Sequence, residues 1–201
     1  YVLSHRATFM LVNKPRGFTL IELVVGIVVF AIALTLFTSL IVPQAVRSVD
    51  PIFQVRAAEL GQSLINEIAG RSFDEMSGRT GGTNICSQGT NPACTSSAAL
   101  GPEEGTNNRP NFDDVDDYHG FTMPYDSDGD GDSEFTNALG NEITLNGANL
   151  YAGFSVNVSV FYDANFDGIN DAIIGNAKLI TVTVTTPNAE DIIFSSYRSN
   201  Y

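Results

Sequence analysis

A predominantly apolar run from Phe18 to Val42 dominates the pattern of hydrophobic and polar positions along this chain. A transmembrane helix needs about 20 consecutive apolar residues, so the run is long enough to cross a bilayer. Glu22 is the one charged residue of this run, and the basic residues Lys14 and Arg16 come just before the run begins. A carboxylate inside such a helix is costly and by default marks a functional position. The pattern predicts a membrane helix whose basic flank holds the N-terminus in the cytoplasm.

An amphipathic pattern follows the apolar run. Its apolar residues recur at four-residue spacing, as on one buried helix face: Leu60, Leu64 and Ile68. Gly70 is a suitable residue to end this helix. Pro43 and the Asp50-Pro51 pair interrupt the rod, so we expect a kink or a local unwinding between them. We therefore predict a transmembrane helix over 18–43 and an amphipathic continuation over 44–70.

The C-terminal third alternates apolar and polar residues with a period of two. Residues 154–162 and 180–185 both show this pattern, which is typical of half-buried strands. Pro187-Asn188 marks a turn, and a returning strand begins at 192–194. The predicted fold class is α+β: a long N-terminal helix packed on an antiparallel sheet spanning 142–197. The sheet belongs to a globular head over 71–201, in which residues 71–112 are predicted to be loop.

The charge of the chain is concentrated in one region. The formal net charge is −13, and 23 acidic residues face only 10 basic ones. No basic patch is visible, which makes nucleic acid an improbable partner. The segment 103–134 is strongly acidic, and Arg109 is its only basic residue. Such a cluster is either a solvated or disordered loop or a cation site.

Cys86 and Cys94 are the only cysteines, and both lie in the predicted loop. A disulfide closing this short loop is favoured if the head is periplasmic, where disulfides persist. Two free thiols are the alternative. Two cysteines without a nearby histidine supply too few ligands for a zinc site.

The residues around the start of the apolar run resemble a known processing signal. Lys14-Pro-Arg-Gly17 followed by Phe18-Thr-Leu-Ile-Glu22 is similar to the N-terminus of type IV pilins and of type II secretion pseudopilins. The resemblance implies that a prepilin peptidase cuts between Gly17 and Phe18 and methylates Phe18. Residues 1–17 would then be a leader. Because the first residue is Tyr1, we take Met10 as a plausible start and residues 1–9 as upstream sequence.

The spacing makes this role of Glu22 chemically reasonable. After cleavage, the Phe18 ammonium and the Glu22 carboxylate lie one helical turn apart. In a filament core, Glu22 would neutralise the Phe18 ammonium of a neighbouring subunit, since an unpaired buried charge is far more costly than a paired one. The resemblance further implies an inner-membrane protein with a periplasmic head, and other pilins and the peptidase as partners.

Shorter stretches narrow the resemblance. Two of them look most like minor pilins of the mannose-sensitive haemagglutinin (MSHA) pilus. They are the run Phe112-Asp-Asp-Val-Asp-Asp-Tyr-His-Gly120 and the ending Ser195-Ser-Tyr-Arg-Ser-Asn-Tyr201. A minor pseudopilin of a type II secretion system is the closest alternative. A membrane-anchored, calcium-dependent adhesin or binding module is a third hypothesis. An anchored enzyme is the least favoured class, because a catalytic triad would have to use His119 and no nucleophile elbow surrounds it.

Two acidic stretches resemble calcium-binding loops. In the better one, oxygen ligands recur at alternating positions before a glycine, as in the first half of an EF-hand loop. Its candidate ligands are Asp163, Asn165, Asp167, the backbone carbonyl of Ile169, and Asp171. Ile174 stands where a bidentate Glu belongs, which predicts weak affinity at best. A polar hairpin loop held by Asx-turns is the equal alternative.

The second stretch also alternates carboxylates with small residues: Asp126, Asp128, Asp130 and Asp132. This spacing suits a hard cation, but a flexible acidic loop has the same composition. The carboxylates of the preceding 113–117 run either join the same cation site or form caps and turns. No cofactor is required by the predicted function, and calcium is the one ion that the pattern allows.

Overall fold

The structure is a computed structural model that describes residues 17–47, 50–78, 84–106 and 108–201, without the side chains of residues 40–50. The chain divides into two compact units, at residues 1–48 and 49–201. Helix α1 (Leu20–Arg47) makes up the described part of the first unit. The helix continues past Pro43 to Arg47, so the expected interruption is not at the proline itself. The rest of the predicted kink, at Ser48 and Val49, and residues 1–16 of the predicted 1–17 leader lie outside the described residues.

Helix α2 (Asp50–Ala69) begins the second unit, which is the head. Asp50 and Pro51 open the helix, as the sequence indicates for an N-terminus with proline in the first turn. The helix ends just before Gly70, whose amide donates to the carbonyls of Asn66 and Glu67. The predicted four-residue stripe is buried, and it lies in the main core with Ala57.

A four-stranded antiparallel sheet covers this face of α2. Its order is β1 (Thr122–Met123), β4 (Ser155–Tyr162), β5 (Ala177–Thr185) and β6 (Asp191–Ser199). Strands β4 and β5 pair in a register that places Val158 opposite Val182. Gly61 of α2 lets β6 approach closely, because a Cβ at this position would overlap with the ring of Phe194. The predicted α+β fold is confirmed, with helix and sheet joined by one hydrophobic core.

The sheet differs in composition from the predicted one. The small hairpin of β2 (Thr144–Leu145) and β3 (Ala148–Asn149) forms a separate two-stranded sheet. Strand β1 instead comes from the acidic segment and pairs with the edge of β4. A two-residue strand carries no detectable alternation, so the sequence could not reveal it.

The acidic segment is partly a core element. Its aromatic side chains pack edge to face in the main core: Phe112, Tyr118, Phe121 and Tyr125. Two short 3-10 helices, Arg109–Asn111 and Asp116–Tyr118, shape this stretch. The aromatic residues interleaved with the carboxylates therefore anchor a segment that charge alone had marked as solvated or disordered.

Candidate functional site

The predicted processing site lies at the start of α1. Thr19 is the residue before the helix, and its Oγ1 accepts a hydrogen bond from the amide of Glu22 at 3.3 Å. This is one half of a capping box, the T-x-x-E pattern that begins many helices. We did not recognise this pattern in the sequence, although Thr19 and Glu22 carry it. Glu22 therefore lies in the first helical turn, where the helix dipole favours a carboxylate.

Gly17 is not required by the local fold. A Cβ at this position would meet no atom within 4 Å among the described residues. Its backbone does not adopt the left-handed conformation that would demand glycine. The structure thus supplies no internal reason for this glycine next to the predicted cleavage point. Cleavage between Gly17 and Phe18 stays a prediction.

Helix α1 presents apolar side chains on every face. All described side chains from Phe18 to Ser39 are exposed, and the span Leu20–Ser39 has a mean hydropathy of 2.8. Its hydroxyls turn back to the helix, since Thr35 and Thr38 donate to carbonyls three and four residues earlier. Length and composition allow this helix to cross a membrane, where polar groups need such internal partners.

Cys86 and Cys94 form a disulfide, as predicted. Both residues are buried, and they pack with Phe73 and Tyr162 in a second, smaller core. The side-chain amide of Asn200 donates to the carbonyl of Cys86 at 3.1 Å, which joins the disulfide loop to the end of the chain. The sulfur atoms lie near Asp74, but a disulfide offers no thiolate to a metal.

In the loop after β4, the predicted calcium ligands accept hydrogen bonds from the backbone of the loop itself. Asp163 is fully buried and accepts from the amides of Asp167 and Gly168 and from the hydroxyl of Tyr197. Burial opposes ionisation of Asp163, but these hydrogen bonds outweigh it and hold its pKa below the ordinary value. Asp171 caps the other side of the loop by accepting from the amide of Ala164.

The geometry of this loop matches the Asx-turn alternative. Asn165 and Asp167 each accept from the amide two residues on, which is the Asx-turn pattern. In the part of the chain that the structure describes, no three carboxylates of this loop lie within 4.8 Å of one another. Coordination of calcium by these carboxylates and by the backbone carbonyl of Ile169 stays a prediction.

The second predicted loop does bring carboxylates together. Asp126, Asp128 and Asp130 each place one oxygen within 4.8 Å of the other two. Asp126 also accepts from the amides of Gly129 and Gly131, so the loop curls around this side chain. Asp132 follows, with its amide donating to Asp130. The loop is largely solvent-exposed, and its internal hydrogen bonds explain the geometry without a cation.

The carboxylates of the 113–117 run have two different structural roles. Asp116 faces inward and pairs with Lys178, which is fully buried. Asp114 and Asp117 turn the chain by accepting backbone amides. None of these side chains belongs to the group formed by Asp126, Asp128 and Asp130. The interpretation of this run as caps and turns is therefore correct for part of it.

Arg109 does not neutralise the acidic segment around it. It is buried, and its guanidinium binds both oxygens of Glu67 on α2, at 3.1 and 2.6 Å. It also donates to the carbonyl of Thr136. Tyr118 donates to the same Glu67 at 2.8 Å, and burial raises the pKa of its hydroxyl, as does the charge of Glu67. The one basic residue of the segment thus serves as a link to the helix.

His119 has a structural environment. Its Nδ1 accepts a hydrogen bond from the amide of Val160 at 3.2 Å. Together with Asp117 and Phe121 it lines a cavity of about 260 Å³. The hydrogen bonds found for the described residues place no serine or cysteine nucleophile beside the ring. His119 therefore helps to hold the 116–118 helix against β4.

Comparison with known proteins agrees with the N-terminal assignment. No curated protein and no solved structure matches the chain significantly. A family model described as the prokaryotic N-terminal methylation motif matches residues 12–38. This match includes Gly17, Phe18 and Glu22 and most of the exposed part of α1. The chain therefore carries the N-terminal methylation motif of type IV pilin-like and pseudopilin-like proteins, ahead of an α+β head.

Proposed function

We propose that this protein is a minor pilin-like structural subunit of an MSHA-like type IV pilus. Prepilin peptidase cuts the chain between Gly17 and Phe18 and methylates the new N-terminus. Helix α1 first anchors the subunit in the inner membrane with its head in the periplasm. The helix then passes into the core of the filament, where it contacts the helices of other pilins.

The exposed apolar surface of α1 is the observation that carries this proposal. Its described side chains from Phe18 to Ser39 are all exposed. An apolar surface of this length is stable only in lipid or against other helices. A subunit that moves from a bilayer to a filament core satisfies this requirement in both places. The disulfide of the head supports a periplasmic location, where such bonds persist.

Glu22 supplies the specific contact in this mechanism. It lies on the first turn of α1, and the predicted cleavage creates a positive charge at Phe18 four residues earlier. Pairing of Glu22 with the ammonium of the next subunit removes an unpaired charge from the filament core. A type II secretion pseudopilus would use the same contact, so the two systems share this part of the mechanism.

Mass spectrometry of the full chain from cells with an active prepilin peptidase tests the proposal. We expect the mature protein to begin with N-methylated Phe18, and the leader to remain in cells that lack the peptidase. Gly17→Ala should block cleavage, although the fold has room for the methyl group. Gly26→Ala is the matched control, because it adds the same group at an equally open position within α1. An intact leader in peptidase-positive cells would overturn the proposal.

Recovery of the subunit in sheared surface filaments tests the choice of a pilus. We expect the head to be detected in the pilus fraction of cells that express the MSHA-like system. Confinement to the cell envelope, with loss of protein secretion on deletion, would instead support the pseudopilus.

A further inference from the structure

Five carboxylates meet in the head, in two groups that share no residue with either predicted calcium loop. Three separate segments supply them: Glu75 after α2, Glu103 and Glu104 in the following loop, and Asp114 and Asp117 in the acidic run. One oxygen each from Glu75, Glu103 and Asp114 lies within 4.8 Å of the others. The same holds for Glu103, Glu104 and Asp117. Glu103 therefore belongs to both groups and joins them into one cluster.

Asp114 and Asp117 are buried at the base of this cluster, each with about 1% of its surface exposed. Asp114 accepts two backbone amides through Oδ1, at 2.8 and 3.2 Å. Asp117 accepts two through Oδ2, at 2.8 and 3.1 Å. The second oxygen of each carboxylate, Asp114 Oδ2 and Asp117 Oδ1, is buried without a hydrogen-bond partner, and so is Oε2 of Glu104.

These orphaned oxygens require an explanation. A buried carboxylate oxygen that has lost water and gained no donor destabilises the fold, because the loss of its hydration is not compensated. Nearly all buried polar atoms in native proteins have a partner, and exceptions often mark an ion that has yet to be placed. Three such oxygens next to further carboxylates indicate a missing positive charge.

The protein's own buried cations do not supply this charge. Arg109 is bound to Glu67, and Lys178 donates to Asp116, to Asp74 and to the carbonyl of Phe73. These two are the only buried basic residues among those that the structure describes. Among the described residues no buried cation pairs with the cluster, although Lys178 partly offsets the like charges around Asp114.

The electrostatics of the cluster reflect this imbalance. Burial raises the pKa of Asp114 to about 9, and the charge of Asp116 adds to the rise. Burial also raises the pKa of Asp117 to about 7, in spite of its two amide donors. The pKa of Glu75 is raised mainly by the charge of Asp113. Burial and neighbouring like charges thus oppose ionisation of these carboxylates.

The chemical type of the ligands indicates which cation would bind. All five ligands are carboxylates, which suit hard cations such as Ca²⁺, whereas zinc sites use histidine and cysteine. Ca²⁺ takes six to eight oxygens at about 2.3–2.6 Å, so ligands on opposite sides of the ion lie about 5 Å apart. The spacing of up to 4.8 Å within each group fits this requirement. Mg²⁺ demands a stricter octahedron, which two buried aspartates and three more accessible glutamates are less suited to form.

We propose that Glu75, Glu103, Glu104, Asp114 and Asp117 form a calcium site, with Glu103 as the central ligand. The ion pairs the orphaned oxygens and ties the 103–104 loop and the segment after α2 to the 114–117 turn. This turn packs directly on the core through Val115 and Tyr118. Calcium therefore stabilises the face of the head that the acidic segment forms. This inference is independent of the proposed assembly function.

The test compares calcium binding by the full-length protein in detergent with that of three variants. The metal-free protein is titrated with CaCl₂ by calorimetry, with MgCl₂ as the comparison. Glu103→Gln keeps the size of the side chain and breaks no recorded backbone hydrogen bond, so it is expected to fold. We expect it to weaken calcium affinity at least about tenfold, because even the loss of an outer-shell partner typically costs a metal site about 10–100-fold in affinity. Glu59→Gln and Glu142→Gln make the same change at exposed glutamates outside every candidate calcium-ligand set, so these matched controls should bind as the wild type does.

Thermal unfolding supplies a second readout that a purely structural role of Glu103 would not produce. Without calcium, Glu103→Gln removes one of several like charges, so it should raise the melting temperature or leave it unchanged. With calcium, the same variant should melt below the wild type. Calcium binding that is absent, unaffected by Glu103→Gln, or lost in a control variant would overturn the proposal, as would the same order of melting temperatures in both conditions.

Discussion

Lys178 on β5 reaches across the head and places its Nζ 2.5 Å from Oδ1 of Asp116, with both side chains buried. The same ammonium lies 3.3 Å from Asp74 and donates to the carbonyl of Phe73 at 2.7 Å. Asp74 in turn accepts from the amide of Thr95 at 2.8 Å. One buried lysine therefore connects the sheet to the segment that follows α2, to the disulfide loop and to the acidic segment.

Removal of one partner from this network should be strongly destabilising. We expect Asp116→Ala to lower the free energy of unfolding by about 3–5 kcal/mol, because it leaves a buried ammonium short of a counter-charge. Chemical denaturation of the full chain in detergent measures the change. Asp132→Ala, an exposed aspartate of the same segment, should change stability by less than about 0.5 kcal/mol. Equal effects of the two substitutions would contradict the role of the network.

The contact of Arg109 with Glu67 leads to a second prediction, which is independent of the Lys178 network. Glu67→Gln should cost about 3 kcal/mol, since it breaks a buried ion pair and weakens the acceptor of Tyr118. Arg71 lies 4.0 Å from the same carboxylate and is more exposed. Arg71→Lys is therefore the control and should cost less than about 1 kcal/mol. A loss of stability for Arg71→Lys as large as that for Glu67→Gln would contradict this ranking.

Glu22 has two possible roles that substitution can separate. As the charge partner of Phe18 in a neighbouring subunit, Glu22→Gln should leave cleavage and membrane insertion intact but abolish incorporation into filaments. As a helix cap only, it should behave like Thr19→Ala, which removes the hydrogen bond to the amide of Glu22. We expect Thr19→Ala to retain assembly. Immunoblots of membrane and sheared-pilus fractions distinguish the two, and normal assembly of Glu22→Gln would refute the pairing role.

The disulfide should stabilise the head by constraining the unfolded chain. Cys86 and Cys94 are 8 residues apart, and loop-closure entropy for so short a loop corresponds to about 2–3 kcal/mol. We expect this loss of unfolding free energy for the Cys86→Ser/Cys94→Ser variant. The wild type unfolded under reducing conditions should show a similar loss. No change in either experiment would show that the bond only joins residues already held by the fold.

The hydrogen bond from Tyr197 to Asp163 predicts a pH-dependent effect. This bond and the loop amides lower the pKa of Asp163 in the folded state, so the stabilisation exists above the ordinary aspartate value of about 3.9 and disappears as pH falls through the folded pKa. Tyr197→Phe should therefore lower the melting temperature at neutral pH, with a smaller difference in stronger acid. Tyr201→Phe, at an exposed tyrosine, is the control. A difference that stays constant down to pH 2 would contradict the linkage.

Much of the fold was predictable because its signals are local. The four-residue stripe of α2 and the two-residue alternation of β4 and β5 both appear within single elements. The prediction for the acidic segment was less complete, because charge density obscured the aromatic residues between the carboxylates. Phe112 and Phe121 bury a stretch that net charge alone would leave in solvent.

The candidate sites show the same division. Gly17, Phe18 and Glu22 lie close together in the chain, so the methylation motif could be recognised without a structure. The EF-hand-like spacing at Asp163 was equally visible, but spacing alone could not distinguish calcium ligands from Asx-turns. The cluster around Glu103 has no signature in the sequence, because its members come from three segments that meet only in the folded head.

The sequence by itself determined that this protein has a membrane-length helix with a processing motif, followed by a helix and antiparallel strands. These properties depend on hydrophobic period and on neighbouring residues, which folding does not rearrange. Only the tertiary structure decided how the charges are used. It paired Lys178 with Asp116 across 62 positions of the chain, and it left Asp114 and Asp117 buried beside Glu103. Electrostatic interactions depend on distance and burial in space, and neither can be read from separation along the chain.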